Sequence, residues 1–246
     1  MVFISALRAL SRSSCGNHAG IYKKMANVIQ LGNNPDCLAG AVALAANSLL
    51  SGNVISVPTD TIYGVAALAQ NTAAVEKLYE IKGRNGQKPI AISVSCIEDI
   101  HRWSYVTVTD DVLRDLLPGP VTLVFRRRPE LNPDFNLATD LIGVRIPNYP
   151  FIQQLATSVG EPIALTSANL SAERSTLSVQ EFEELWSKID LVFDGGILSD
   201  SEEARKGSTV IDLSEIGRFS IIRPGSAEEK TIKLLRGKHH LKQKKR

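Results

Sequence analysis

The chain has 246 residues, of which 43% are apolar and 22% charged, so it is long enough to bury a sizeable core and has the composition of a globular protein. No apolar run approaches the ~20 residues that a membrane span requires. The three cysteines form no CxxC pair, which argues against a disulfide framework and a zinc site and fits a reducing compartment.

The net charge of +2 conceals an uneven distribution. Residues 1–35 contain four Lys and Arg and no acid, and residues 230–246 contain eight and no acid. The remaining 16 Lys and Arg stand against all 26 Asp and Glu, so the body between the two ends has a formal charge of −10. An acidic body disfavours a generally basic nucleic-acid binder, except at the two ends.

Both ends are predicted to lie outside the folded domain. Residues 1–35 contain Arg and Ser, lack acids and are mildly amphipathic, which is typical of a mitochondrial presequence, so they are predicted as a targeting or disordered leader. We therefore expect the protein in the cytoplasm and in mitochondria. Residues 237–246 are predicted as a basic tail, which is either solvated or in contact with tRNA or, peripherally, with an anionic membrane.

Between the two ends, helical and strand patterns are interspersed. Asp36 is predicted to cap a helix over 38–50, and further helices are predicted over 71–81, 150–159 and 178–186, after Ser95 and Thr109, and after 223–225. Short apolar runs predict strands at 54–57, 89–94, 121–125, 141–146, 162–165, 191–194, 208–213 and 219–222, and residues 195–207 are predicted as a mobile loop. Because no strict βαβ rhythm is present, the pattern predicts a single α/β domain, residues 36–236, with a twisted mixed sheet flanked by helices.

Several common kinds of site are disfavoured by what the body lacks. Of the four histidines, only His101 belongs to the body, so a Ser-His-Asp arrangement is disfavoured, and no His, Cys and Asp cluster has metal-ligand spacing. Neither GxxxxGK[ST] nor GxGxxG after a strand occurs, so the common phosphate-binding loops are also absent from the sequence.

What remains is a set of polar loops at the ends of predicted strands, where open α/β sheets bind their ligands. The set contains cations and hydroxyls but few acids or bases. It therefore suits anion binding and nucleotidyl transfer, with Mg²⁺ held mainly by substrate phosphates. Buried cations are rare unless paired, and Arg145 lies inside a strand-like run, which favours a shared anionic ligand. The residues expected to converge are Thr59, Thr61, Lys82, Arg84, Lys88, Arg145, Ser167, Asn169, Ser208 and Arg223.

Eight motifs occur in order between residues 36 and 225, namely PTDTIYG, KGR…KPIAI, LPGPVTLV, GVRIP, SANLS, DGG, GSTVID and RPG. Together they resemble the YrdC family of L-threonylcarbamoyl-AMP synthases in its short, single-domain form. The resemblance implies a YrdC-like α/β fold with a concave cationic cavity. It also implies a nucleotidyltransferase that makes L-threonylcarbamoyl-AMP and pyrophosphate from L-threonine, bicarbonate and ATP, with Mg²⁺. The product would pass to partner proteins that form threonylcarbamoyladenosine in tRNA.

The resemblance assigns site residues by motif. It implies a catalytic set of Lys82, Arg84, Ser167 and Asn169, and no protein ligand of a metal. The positions that match the ATP-binding ones are Arg84, Lys88, Ser167, Ser175 and Arg223, with Leu141 contributing through its backbone. Those that match the threonine-binding ones are Thr61, Ser93, Arg145 and Ser208, with a backbone contact at Leu165. The chain departs from the family pattern at Lys88, Ser93, Thr176-Leu177 and Gly207, which bears on the individual contacts more than on the reaction.

Two hypotheses follow for the cations. Arg145 is expected to bind the threonine carboxylate in a bidentate geometry that lysine cannot reproduce. Lys82 and Arg84 are expected to neutralise carbamate and phosphate, because each like-charge contact at ~4 Å costs about 4 kcal/mol at an effective dielectric near 20. Gly83 and Gly86 are expected to let the backbone approach the ligand.

Two other functions stay open at this point. A noncatalytic module that binds tRNA or double-stranded RNA would show salt-dependent affinity and no ATP turnover. Another carbamoyl-adenylate-forming enzyme would use carbamoyl phosphate. For the synthase, the loop 195–207 is hypothesised to act as a lid.

Overall fold

The computed structural model describes residues 28–32, 34–83, 88–171 and 173–244. The strands in these ranges are β1 Val28–Gln30, β2 Ile55–Val57, β3 Gly64–Leu68, β4 Ala91–Ser93, β5 Ser104–Tyr105, β6 Val121–Arg127, β7 Leu141–Arg145, β8 Ile163–Ser167, β9 Leu191–Asp194, β10 Thr209–Asp212, β11 Arg218–Arg223 and β12 Lys242–Gln243. They form one sheet in the order β1-β9-β2-β3-β8-β4-β7-β6-β10-β11-β12, and β5 pairs with β6. Parallel and antiparallel neighbours alternate irregularly, so the sheet is mixed.

The helices are α1 Pro35–Leu50, α2 Thr72–Ile81, α3 Ile97–Trp103, α4 Asp110–Leu116, α5 Pro150–Val159 and α6 Glu228–Gly237. Two further segments, Val179–Lys188 and Glu202–Lys206, are 3₁₀ helices. Among the helices of the described ranges, none combines the length and the apolar character that crossing a membrane requires.

The two faces of the sheet are covered differently. On the first face, alternate residues such as Val121, Leu123 and Phe125 of β6 join a core that also includes buried residues of α2, α3, α4 and α6. On the second face, α1 and α5 pack together over β2, β3, β8 and β9. The opposite set of β6 residues, Thr122 and Val124, lines a cavity instead. Half of the second face, over β4, β7, β6, β10 and β11, is therefore left open.

The ends of α1 correct one sequence-based expectation. The N-cap is Asn34, whose side chain accepts a hydrogen bond of 3.0 Å from the backbone N–H of Asp36, and the helix begins at Pro35. Proline is favoured at the first helical position because its missing N–H would have no helical partner there, so the helix begins three residues before 38 and Asp36 does not cap it. Asn71 caps α2, and α5 begins and ends as predicted.

Four strands were not predicted. β3 reads GVAAL, an alanine-rich run without β-branched enrichment, and it forms a central strand because β2 and β8 pair with it on both sides. β5 has only two residues. β1 and β12 lie in the predicted leader and tail, and they pair with β9 and β11. The sheet therefore extends past both predicted bounds, 36 and 236, while the presequence interpretation of residues 1–27 lies outside the described residues.

Three connecting segments are more ordered than their sequences indicate. The polar segment between β6 and β7 buries Phe135. Arg127 donates hydrogen bonds to three carbonyls of this segment, those of Leu131 (3.0 Å), Asn132 (2.5 Å) and Phe135. The helix expected over 178–186 is a 3₁₀ helix that is broken at Phe182. The expected mobile loop 195–207 contains the 3₁₀ helix Glu202–Lys206.

Candidate active site

The open half of the sheet holds a cavity of about 440 Å³. Its lining residues come from β3, β8, β4, β7, β6, β10 and β11, which are consecutive in the sheet, and from the loops beside these strands. The cavity therefore crosses this face of the sheet and is not confined to strand ends as the sequence suggested. Its charged lining residues, among those the structure describes, are Lys88, Arg145 and Arg223. Of the predicted site residues, eight line it: Thr59, Lys88, Leu141, Arg145, Leu165, Ser167, Ser208 and Arg223.

Two strand glycines keep the floor of the cavity open. A Cβ atom at Gly143 would stand 2.9 Å from Cγ2 of Thr122, and one at Gly64 would stand 2.6 Å from Cδ1 of Leu165. Distances this short require neighbouring atoms to move, so side chains at these positions would displace the residues that line the cavity.

Arg145 is the most deeply buried cation of the cavity, with 7% of its surface exposed. Its Nη2 donates to Oδ1 of Asp60 at 2.9 Å and to Oγ1 of Thr61 at 3.3 Å, and Asp60 also accepts the backbone N–H of Asn148 at 3.0 Å. Burial lowers the pKa of the Arg145 guanidinium, while Asp60 opposes and Arg223 reinforces that shift. The Nε atom is buried and has no hydrogen-bond partner among the described residues, so the guanidinium keeps one unpaired N–H donor.

Two predicted threonine-binding residues stand behind this arginine and do not line the cavity. Ser93 is the register partner of Arg145 across β4 and β7 and is fully buried, and its hydroxyl has no partner among the described residues. Thr61 is held by the preceding loop, in which Thr59 donates to the carbonyl of Ile62 at 2.6 Å and lies 3.2 Å from the Thr61 hydroxyl. Ser93 and Thr61 therefore affect the cavity only indirectly, through their contacts with Arg145.

A second cation, Arg223, ends β11 at the other side of the cavity. Its Nη2 donates to the carbonyl of Ser208 at 2.9 Å and to the Ser208 hydroxyl at 3.3 Å, and that hydroxyl lies 2.8 Å from the Thr122 hydroxyl. Desolvation lowers the pKa of the Arg223 guanidinium, although the residue as a whole keeps an exposed surface. Thr122 was missed by sequence reasoning, because VTLVF reads as a continuous buried strand.

Three of the four predicted catalytic residues meet beside the cavity. Lys82, which is 1% exposed, follows α2, and its Nζ donates to the Ser167 carbonyl (2.5 Å), the Asn169 carbonyl and the Asn169 Oδ1 (3.1 Å). Ser167 lines the cavity, whereas Lys82 and Asn169 lie behind it. Arg84 and Gly86 lie outside the described residues. Gly83 has a φ of +60°, the left-handed conformation that glycine tolerates best.

The loop 173–177 holds Ser175, which does not line the cavity. Inside this loop, the Thr176 carbonyl accepts the backbone N–H of Tyr63 at 2.9 Å, and the Thr176 hydroxyl donates to the Ala168 carbonyl at 3.1 Å. The Asn169 side chain donates to the Glu173 carbonyl at 2.6 Å. The loop is therefore hydrogen-bonded to Tyr63, before β3, and to residues 168–169, after β8.

A buried tyrosine and aspartate also support the site, and sequence reasoning named neither. The Tyr63 hydroxyl donates to the Gly196 carbonyl at 2.7 Å and accepts the N–H of Gly195 at 2.9 Å, while Asp194 accepts from the N–H of Gly196 and from Gln30. Burial raises the pKa of the Tyr63 phenol well above its ordinary value, so the phenol stays protonated. Both residues lie in quoted motifs, PTDTIYG and DGG, which was the only signal available.

No metal centre is built from protein side chains in the part of the chain that the structure describes, since no three His, Cys, Asp or Glu residues are grouped to hold an ion. The donors that face the cavity are cations and hydroxyls, which do not suit a divalent cation bound by protein alone.

The fold and the cavity define a class of protein: a mixed α/β sheet with cations and hydroxyls on an open concave face. A family model described as "Telomere recombination" and covering Sua5, YciO and YrdC matches residues 47–225. The chain belongs to this Sua5/YciO/YrdC family, as its motifs predicted.

Individual relatives agree with this family. The chain is 49% identical over 203 residues to a human "Threonylcarbamoyl-AMP synthase". The matched region covers 82% of this chain and 73% of that protein. It is 37% identical over 175 residues to a "Putative threonylcarbamoyl-AMP synthase" of Methanocaldococcus jannaschii. The matched region covers 70% of this chain and 80% of that protein. Both are proteins to which this chain is similar.

Solved structures resemble the fold. P. abyssi Sua5 complexed with L-threonine superposes with a TM-score of 0.73 at 27% identity, over 89% of this chain and 62% of that one. This chain therefore spans less than two thirds of that protein. E. coli YciO superposes with a TM-score of 0.70 at 24% identity, over 81% of this chain and 94% of that one, which supports the fold alone. The predicted mixed α/β sheet flanked by helices is confirmed.

Proposed function

We propose that the chain is a nucleotidyltransferase that makes L-threonylcarbamoyl-AMP, pyrophosphate and water from L-threonine, bicarbonate and ATP. The observation that carries this proposal is the buried Arg145, paired with Asp60 beside a cavity whose other charged lining residues, among those described, are also cations. Its similarity to proteins named threonylcarbamoyl-AMP synthase supports the same activity. Bicarbonate, ATP and the carboxylate of threonine require several fixed cations in one place, because the repulsion among these anionic groups must be offset.

On the amino-acid side, Arg145 binds the threonine carboxylate. Asp60 holds one terminal nitrogen of its guanidinium at 2.9 Å, and Nε has no partner among the described residues, so the planar group is oriented and still has donors to offer. The Thr61 hydroxyl accepts a bond of 3.3 Å from Nη2 of Arg145 and so helps to orient it, and Ser93 packs beside Arg145 as its register partner.

On the nucleotide side, Arg223 and Lys88 attract the phosphates. Ser208, whose motif position matches the threonine side of the family, instead accepts a bond of 3.3 Å from Arg223, and its hydroxyl lies 2.8 Å from that of Thr122, so we assign both hydroxyls to the nucleotide side. Lys82 holds the strand end that carries Ser167 next to the reacting groups.

The reaction joins these two sides. The amine of threonine combines with bicarbonate to give a carbamate and water, and a carbamate oxygen attacks the α-phosphorus while pyrophosphate leaves. The carbamate oxygen is already anionic, so positioning and charge neutralisation carry the reaction without a strong general base. Mg²⁺ does not fit a site made of the described side chains, and we propose that it enters on the phosphates of ATP.

Pyrophosphate release tests the proposal. The protein is incubated with ATP and bicarbonate, and each of the twenty amino acids is added in turn. Release that depends on threonine and on bicarbonate is expected. An RNA-binding module would release none and would bind tRNA with a steep salt dependence, and an enzyme that uses carbamoyl phosphate would respond to that compound in place of bicarbonate.

We further propose that the product is delivered to the proteins that complete threonylcarbamoyladenosine in tRNA, in the cytoplasm and in mitochondria. The exposed cations of the C-terminal segment, Lys230, Lys233, Arg236 and Lys242, are suited to tRNA contact. Fractionation of cells that express the tagged full chain tests the location. Titration of tRNA against variants that lack these charges tests the contact.

A further inference from the structure

The 3₁₀ helix Glu202–Lys206 contacts the loop 173–177 through two arginines: Arg174 of the loop donates to the Glu202 carboxylate at the exposed surface, and Arg205 of the helix is the more buried of the two. The Nη1 atom of Arg205 donates to the Ser175 carbonyl at 2.7 Å and to the Glu181 carboxylate, and Nη2 donates to the other oxygen of Glu181 at 3.2 Å. The Nε atom lies 3.3 Å from the Glu202 carboxylate. All three nitrogens of the guanidinium are therefore engaged, one of them on the backbone of the loop.

Glu181 closes the same contact from the other end of the loop. Its carboxylate accepts the N–H of Leu177 at 3.4 Å, so Arg205 and Glu181 together contact both Ser175 and Leu177. Arg205 lowers the pKa of Glu181, and Glu181 raises the pKa of Arg205, so both groups stay ionised near neutral pH. The Leu177 carbonyl also accepts the N–H of Leu198 at 2.9 Å, which joins the loop to the chain four residues before the 3₁₀ helix.

The position of Arg205 differs from that of its neighbour Lys206. The Arg205 side chain is 15% exposed, whereas Lys206 is 53% exposed and, among the described residues, forms an ion pair with Glu203 of its own helix. The two residues therefore carry the same charge on the same short element, and only Arg205 reaches the loop.

The chain then runs from Arg205 directly into the cavity wall. Gly207 has a φ of +66°, and a Cβ at that position would lie 3.7 Å from Nη2 of Arg223. Its carbonyl accepts the N–H of Ser226 at 3.0 Å, and the next residue, Ser208, accepts hydrogen bonds from Arg223. The segment 202–207 thus connects the loop of Ser175 with the surroundings of Arg223.

We propose that Arg205 is a positioning residue for the nucleotide half of the site, and that segment 202–207 is a strap that holds loop 173–177 against Ala168 and Tyr63. Loss of the strap releases the loop, so binding of ATP weakens while binding of threonine at Arg145 does not. This inference rests on the proposed function, since it assigns the nucleotide to the side of Ser175 and Arg223.

The test compares Arg205→Met, Arg205→Lys and Glu181→Gln with the control Lys206→Met. Removal of a charge-assisted hydrogen bond to the loop is expected to raise KM for ATP about ten-fold, with KM for threonine within about two-fold of the wild-type value. Arg205→Lys keeps the charge but lacks the planar fork that bonds both oxygens of Glu181 and the Ser175 carbonyl, so an intermediate effect is expected. Lys206→Met is expected to leave both KM values unchanged.

Two readouts that do not need turnover accompany the kinetics. Hydrogen exchange is expected to rise in peptides that cover 173–178 in Arg205→Met and Glu181→Gln and to stay unchanged in the strands. Binding of a fluorescent ATP analogue is expected to weaken in parallel. If Arg205→Met does not fold, the same measurements on Arg205→Lys and Glu181→Gln decide the proposal.

The outcomes separate the two proposals. If the wild-type protein releases no threonine-dependent pyrophosphate, the proposed function fails, while nucleotide binding and hydrogen exchange still decide the role of Arg205. If the wild-type protein is active and the Arg205 variants change neither KM for ATP nor exchange in 173–178, the strap is refuted. An equal rise of both KM values in the Arg205 variants and in Lys206→Met would also refute it.

Discussion

Replacement of Arg145 by lysine tests the central assignment of the site. Lysine retains a positive charge and is able to pair with Asp60, which now lies 2.9 Å from Nη2. It has no planar group, so after pairing with Asp60 it does not present two parallel donors to a carboxylate. The substitution therefore removes one charge-assisted hydrogen bond to the substrate and leaves the buried carboxylate of Asp60 neutralised.

The magnitude follows from that lost bond. A hydrogen bond to a charged group contributes about 1.5–3 kcal/mol, which corresponds to a rise of roughly 10- to 150-fold in KM for threonine. KM for ATP is expected to stay within about two-fold, because the nucleotide is assigned to Arg223 and Lys88. Pyrophosphate release with one substrate varied and the others saturating measures both constants.

The matched control is Arg127→Lys. Arg127 is also partly buried and also orders a segment, through carbonyls of Leu131, Asn132 and Phe135, but it does not line the cavity. This variant is expected to lower Tm without changing either KM. An unchanged KM for threonine in Arg145→Lys would refute the carboxylate assignment, and a rise in KM for ATP alone would move Arg145 to the nucleotide side.

Three further predictions concern how the fold supports the site. Gly225→Ala places a Cβ 2.4 Å from the backbone of Ser208, so we expect roughly 1–3 kcal/mol of lost stability and a loss of activity. Gly40→Ala is the control, because Gly40 is exposed on α1 and its new Cβ would have no neighbour within 4 Å beyond the backbone of its own helix, so a gain of about 0.5–1 kcal/mol is expected. Tyr63→Phe removes the part-buried hydrogen bonds of the phenol to the Gly196 carbonyl and from the Gly195 N–H. It is expected to cost about 1–3 kcal/mol in urea unfolding, since each such bond contributes roughly 0.5–1.5 kcal/mol. The pKa of Asp115 lies below its ordinary 3.8 because Lys238 and then His239 donate to it, so its contribution to stability is fully present above pH 3.8 and is lost as the pH falls through the lowered pKa. Asp115→Asn should therefore be less stable than the wild type at pH 7, with a difference that shrinks below pH 3.8.

Each of these predictions has a clear contrary result. A Gly225→Ala protein with unchanged Tm and activity would show that the close approach of 223–225 to Ser208 is not required. A Tyr63→Phe protein as stable as the wild type would remove the phenol from the supports of the site. A constant difference between the wild type and Asp115→Asn from pH 7 to pH 3 would mean that the carboxylate charge does not stabilise the C-terminal helix.

The outline of the fold was accessible from local patterns. Helix α5 has proline at its start, a periodic apolar face and Gly160 after its end, and it was predicted to the residue. The strand β3 was not, because its alanines carry no strand preference and only pairing with β2 and β8 makes it a strand. Strands β1 and β12 were missed for a related reason, since a strand of two or three residues is too short to show a period.

The sequence by itself determined the family, through eight motifs in order, and it nominated the cations and hydroxyls of the site. It determined this much because the chemistry of anion binding restricts the residue types in each loop. Only the tertiary structure decided that half of one sheet face stays open, that Asp60 orients Arg145, that Lys82 stands behind Ser167, and that Arg205 reaches the loop of Ser175. These contacts join residues 24 to 85 positions apart in the chain, and no local pattern of charge or hydrophobicity encodes which distant partner a side chain meets.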